Sequence, residues 1–95
     1  FIIVSEIKLT FLAFAAFLLA QEGEPEQALE LYAVVSNHPF VANSQWFTDV
    51  IWRRIANATA SLPAQLAEAA QERGRVGDIE TARLRYLQWA EQHGP

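Results

Sequence analysis

Ninety-five residues with a 52% apolar composition suffice for one small domain, and only 19% of them are charged, which excludes a disordered tail. Seven basic residues against eleven acidic ones give a net charge of −4, the wrong sign for direct binding to nucleic acid, which requires a basic footprint. Cysteine is absent, so there is no disulfide framework and no thiolate metal site.

The chain opens at Phe1 and contains no methionine, so the expectation is a C-terminal piece of a longer protein. Its first stretch, Phe1 to Ala20, is the most apolar. A transmembrane helix needs about 20 uninterrupted apolar residues; here Glu6 and Lys8 intervene, and the clean run from Leu9 to Ala20 is too short. A secretory leader would start basic and place a small residue where Leu18 stands. The expected element is a packed helix with two apolar faces. Leu12, Ala15, Ala16 and Leu19 make one; Phe11, Phe14 and Leu18 make the other. A helix apolar on both sides sits between two neighbours. Only one is evident downstream, so the second face is expected to receive an upstream helix or to self-associate.

Gly23 suits the end of that helix and Pro25 the first turn of the next, which runs to about Val35 with Glu24 and Glu26 at its positive end. Ser36-Asn37-His38-Pro39 reads as a turn. Asn43 or Ser44 can cap a third helix from Gln45 to Ala60, with Phe47, Val50, Ile51, Ile55 and Ala58 as its apolar stripe and an Asp49–Arg53 pair at i,i+4. Trp46, Trp52 and Arg53, together with Phe11, Phe14 and Leu18, are the candidate interaction face, because aromatics dominate interface energies. The competing assignment puts the tryptophans in the core. Ser61-Leu62-Pro63 opens a fourth helix, with Leu66, Ala69 and Ala70 inward. Gly74-Arg75-Val76-Gly77 is a connection, and Asp78 caps a fifth helix carrying Ala82, Tyr86 and Trp89, with Gly94-Pro95 as its stop.

No catalytic constellation accompanies these elements. His38 and His93 lie far apart in sequence, the carboxylates around Pro25 are explained by the helix start, and Gly74 to Gly77 lacks the lysine and hydroxyl of a phosphate loop. The reading is non-enzymatic, without cofactor or metal.

Two segments match at a constant offset. Leu12-Ala15-Ala16, Gly23, Ala28, Tyr32 and Val35 align with Leu66-Ala69-Ala70, Gly77, Ala82, Tyr86 and Trp89. This pattern resembles the tetratricopeptide repeat family: Ala16 and Ala70 stand at the small first-helix position, Gly23 and Gly77 at the turn glycine, Ala28 and Ala82 at the tightly packed alanine, and Tyr32 and Tyr86 at the second-helix aromatic. Leu12 and Leu66 replace the family's tryptophan, Leu19 and Arg73 its tyrosine, and an inserted helix breaks its period of about 34 residues. From Ala28 to Arg75, through His38-Pro39-Phe40, Ser44-Gln45-Trp46-Phe47 and the alanine-rich helix before Gly74, the chain is also similar to the C-terminal end of large bacterial signalling regulators that join a nucleotide-driven switch or transcription-factor domain to a helical-repeat region.

The resemblances imply an all-α superhelix of about five antiparallel helices in one domain, residues 1–95. It would comprise a first helix pair (1–39), an inserted helix (40–62) and a second pair (63–95). They imply a cytoplasmic protein-interaction module in signal transduction or transcription regulation, bound to a partner protein or to the parent's upstream domains, without membrane or direct nucleic-acid contact. The alternative is a structural cap closing a longer solenoid.

Overall fold

A computed structural model describes the backbone of residues 2–93 and, within it, the side chains of residues 7–39 and 41–92. The described residues are helical, with no strand among them. In order they form α1 (Ile2–Gln21), α2 (Pro25–Val35), the single turn α3 (Pro39–Ala42), α4 (a π-helical start, Phe47–Trp52, continuing as Arg53–Ala58), α5 (Ala64–Arg75) and α6 (Ile79–His93). Five long helices are thus present, as expected, with α3 as an addition.

α1 ends in a Schellman turn. The Glu24 N–H donates to Leu19 O at 2.9 Å and Gly23 N–H to Ala20 O at 3.4 Å, with Gly23 at φ +82°. Pro25 then opens α2, where its missing N–H costs nothing. α2 stops because His38 precedes Pro39 and is pushed to extended backbone, ψ 134°; Pro39 starts α3 instead of merely closing a turn. Ser44 Oγ accepts from the Phe47 N–H at 3.3 Å at the head of α4.

The π-helical turn changes which side of α4 is buried. In an ideal α-helix every fourth residue drifts by about 40°, so the row Phe47, Ile51, Ile55 should rotate off the core and Ala58 should take over. Wide i→i+5 turns hold the row in phase. Phe47, Ile51, Ile55 and then Thr59 are buried, whereas Ala58 is exposed. Thr59 satisfies its hydroxyl by donating to Ile55 O at 2.8 Å. For the same reason Asp49 and Arg53 do not pair; Asp49 accepts from Gln45 Nε2 at 2.9 Å.

α2 is the central strut. Ala28, Leu29, Leu31, Tyr32, Val34 and Val35 are all buried, which takes up well over half of its circumference. α1 packs along one side and α5 along the other, with α4 across α1 and α2 and α6 against α2. Leu12, Ala15, Ala16 and Leu19 form the inner face of α1, as expected, with Ala28 and Val35 fully enclosed opposite. Ala70 is buried and Ala82 sits at the edge of the core.

The second half departs from the expected repeat. Pro63 is the residue before α5 rather than within its first turn, and α5 runs on through Gly74 to Arg75. Leu66 and Ala69 are exposed; the inward row is Ala67, Ala70 and Gly74. Gly77 has no positive φ, unlike Gly23, so it is not an equivalent turn glycine. Nor do α5 and α6 close into a second hairpin, since each packs chiefly on α2. The reason is the approach of α5 to α2: a Cβ on Gly74 would stand 2.2 Å from Glu30 O and 2.5 Å from Ala33 Cβ. Small residues must face a helix that close, and Leu66 is left outside. Asn37 Nδ2 locks the crossing by donating to Arg75 O at 2.9 Å and Gly74 O at 3.4 Å, carbonyls at the C-terminal end of α5.

This contact yields a sign test. In an isolated helix Gly→Ala stabilises by about 1 kcal/mol. At Gly74 the overpacking cost of about 1–3 kcal/mol or more opposes it, so Gly74→Ala is expected to lower stability in urea unfolding, and Gly74→Leu more so. A stabilised Gly74→Ala would show that the two helices do not touch there.

Candidate interaction surface

The outward side of α1 carries Ile7, Phe11, Phe14 and Leu18, all exposed. At 100° per residue they fall within about 60° of one another, opposite the buried Ala16. Neighbouring helices edge the stripe with aromatics. Phe14 lies against Trp46 of α4, ring centroids 6.1 Å apart, and Phe11 meets Tyr86 of α6 edge-on at 5.8 Å. Trp46 is itself exposed and makes a T-shaped contact with the buried Phe47 at 5.1 Å. These contacts join α1, α4 and α6 into one apolar face.

The structure divides the aromatics proposed for a common face. Trp46 joins the α1 stripe, whereas Trp52 is half-buried and stacks on Tyr32 at 5.3 Å on a different side of α4. Arg53 is exposed, and it is Arg54 that reaches α1, its guanidinium 5.9 Å from the centre of the Phe17 ring. Tyr32 is buried, and desolvation pushes its phenol above the ordinary value; its hydroxyl donates to Phe47 O at 3.4 Å. Tyr86 is half-buried and stacks on Trp89 at 6.0 Å.

Clefts open on both sides of α2. One, of about 350 Å3, lies between α2 and α6, with Leu19, Leu31, Val34, Tyr86 and Trp89 among its lining and glutamines 27, 88 and 92 along it. The other, of about 330 Å3, opens between α2, α4 and α5 beside Tyr32, Trp52 and Arg75. Glu30 stands where α2, α5 and α6 meet: it accepts from Arg73 Nε at 2.9 Å and also binds the Arg85 guanidinium. Its side chain is only 19% exposed, against 50% and 66% for the two arginines. Such partly solvated pairs contribute about 0.2–1 kcal/mol each, enough to orient α6 but not to carry the fold.

Sequence reasoning missed Ile7 as a member of the face, and the cross-helix contacts of Glu30, Asn37, Arg54 and Gly74. The Ala67-Ala70-Gly74 row was the available signal for Gly74. Glu30, Asn37 and Arg54 act across helices, and no local pattern announces that. Among the described residues no group of three histidines or carboxylates is placed to hold a metal ion. His38 is exposed in its turn; the side chain of His93, and Gly94-Pro95, lie outside the described residues. No described helix is long and apolar enough to cross a membrane.

No family model, curated protein or solved structure matches the chain. The tetratricopeptide and regulator resemblances therefore rest on the residues named above.

The cap of α6 holds one wall of the first cleft and gives it a pH dependence. Thr81 donates its backbone N–H to Asp78 Oδ1 at 2.8 Å and its hydroxyl to Oδ2 at 2.9 Å, and both bonds hold the carboxyl below its ordinary value. On the same helix, bonds from Arg83 and then Lys8 lower Glu80. A depressed carboxylate contributes stability above its unfolded value, near pH 4, and the contribution is lost as pH falls through the native value. Asp78→Asn keeps a cap acceptor but cannot titrate, so it should flatten the acid limb of the stability–pH profile below about pH 4. Asp78→Ala should lower stability at pH 7. Urea unfolding over a pH series reads both.

Proposed function

We propose that this chain is a non-catalytic helical-repeat module that makes protein–protein or intramolecular regulatory contacts in a bacterial signalling or transcription regulator of the cytoplasm. The observation that carries the reading is the exposed apolar face of α1 with Trp46, bordered by the half-buried Tyr86 of α6. Exposed patches of several hundred Å2 mark docking sites, and the clefts beside α2 add concave surface of the kind that stacked helices offer to peptide segments. The contact would act by differential binding: a partner or a switch domain of the parent that fits this face in one state and not in another shifts the balance between them.

A second reading, a structural cap of a longer solenoid, is favoured by one feature. The exposed residues of α6 include Glu80, Arg85, Gln88, Glu91 and Gln92, and a terminal unit needs a polar surface. Leu84 and Leu87 interrupt it, and the clefts are open where a cap would be filled. The docking reading is therefore preferred.

A photo-reactive residue at Trp46, compared with one at Glu91, separates the two in the cell. Adducts with a separate protein at Trp46 and none at Glu91 fit docking; adducts at neither position overturn it. The face must also be dispensable for folding. Phe11→Ser with Phe14→Ser removes two ring contacts worth about 0.5–1.5 kcal/mol each and is expected to leave the chain folded, while the fully enclosed Leu12→Ala costs about 2–5 kcal/mol. Thermal unfolding by circular dichroism measures both, and a large loss in the first variant would make the stripe part of the core.

A further inference from the structure

The α1 stripe has the spacing and symmetry of a helix-pairing seam. Ile7, Phe11, Phe14 and Leu18 are four, three and four residues apart, the alternation that lets two helices keep a common line of contact. The order of side chains along it reads aliphatic, aromatic, aromatic, aliphatic. Reversed end to end, the row presents the same sequence of shapes. From this we infer that the face binds a second copy of the chain, with the two α1 helices antiparallel about a two-fold axis that passes between residues 12 and 13.

In that arrangement Ile7 meets Leu18 of the other copy and Phe11 meets Phe14 of the other copy. A self-complementary patch closes the assembly at two chains instead of propagating it. Opposed helix dipoles favour the antiparallel sense over the parallel one. The area is sufficient. Ile7 is 63% exposed, Phe11 47%, Phe14 42%, Leu18 45% and Trp46 49%, and with fully exposed aromatic side chains contributing about 150–250 Å2 each, the face exposes roughly 500 Å2. Two copies would withdraw roughly 1,000 Å2 from water, the size at which specific interfaces begin. Charge does not hold the pair together, because each copy carries −4; added salt screens that repulsion and should strengthen association rather than weaken it.

This pairing rests on the docking role proposed above and names its occupant. The chain has no native cysteine, so single-cysteine variants report the geometry directly. Ile7→Cys and Leu18→Cys chains, mixed in equal amounts under mild oxidation, are expected to give mainly the mixed disulfide-linked dimer, whereas each variant alone gives little. Sedimentation of the unmodified chain should show monomer and dimer only. Phe11→Ser with Phe14→Ser should raise the dissociation constant about tenfold or more. Dimers in which Ile7→Cys links efficiently to itself would overturn the antiparallel arrangement. A chain that stays monomeric at millimolar concentration would overturn self-pairing. In that case a hydrophobic dye decides the fate of the docking reading: stronger binding to the unmodified chain than to the serine variant leaves it standing for another occupant, and equal binding removes it too.

Discussion

The near-contact of α5 with α2 is the constraint on which the remaining packing depends. α2 is too short to carry neighbours on several sides unless those neighbours come in close, and they come close only where side chains are small. On the α5 side that place is Gly74 over Glu30 and Ala33. With α5 drawn in, Asn37 can reach its terminal carbonyls, and Arg73 comes within reach of Glu30. α6, which follows directly, is then held beside α2 by the Arg85 contact to the same carboxylate. A bulkier α5 would stand off, and the junction of three helices at Glu30 would open into water.

Glu30 illustrates how a modest interaction can matter. Neither of its ion pairs is deeply buried, and each is worth a fraction of the apolar burial around α2. Yet α6 has few inward apolar residues: Ala82 is buried, and Ile79, Tyr86 and Trp89 are only partly covered. For a helix so lightly anchored, the Arg85–Glu30 contact, a capping aspartate and the Lys8–Glu80 bridge to α1 at 3.1 Å together fix its rotation. α6 is thus the element whose position responds most to charge, and it forms one wall of the cleft beside α2.

The first half of the fold was more legible in the amino-acid sequence than the second, for physical reasons. Gly23 and Pro25 are residues whose backbone restrictions act locally, so the end of α1 and the start of α2 could be placed directly. The inner face of α1 was clear because large and small apolar residues recur there at helical spacing. α5 misled because Leu66 is its most hydrophobic candidate for burial, whereas the available space between helices selects Ala67, Ala70 and Gly74. The Gly77 match to Gly23 failed similarly: sequence likeness carried no information about the sign of φ. Nothing in the order of residues 47–52 announces a π-helical turn, and with it went the expected positions of Ala58 and the Asp49–Arg53 pair. As for the candidate face, the exposure of Phe11, Phe14 and Leu18 followed from α1 having more apolar sides than visible partners. The separation of Trp46 from Trp52 depended on the phase of α4 and could not.

That excess of apolar sides has a mechanical consequence. α1 is anchored along its inner face by alanines and leucines that are fully enclosed, so its outer face is presented on a rigid support rather than on a loop. A contact made there needs little ordering of backbone, which lowers the entropic cost of association. Phe14 rests on Trp46 and Phe11 on Tyr86, so the two central rings are already held by α4 and α6 before anything binds. The aromatic contacts that join the three helices therefore also fix the shape of the surface they expose.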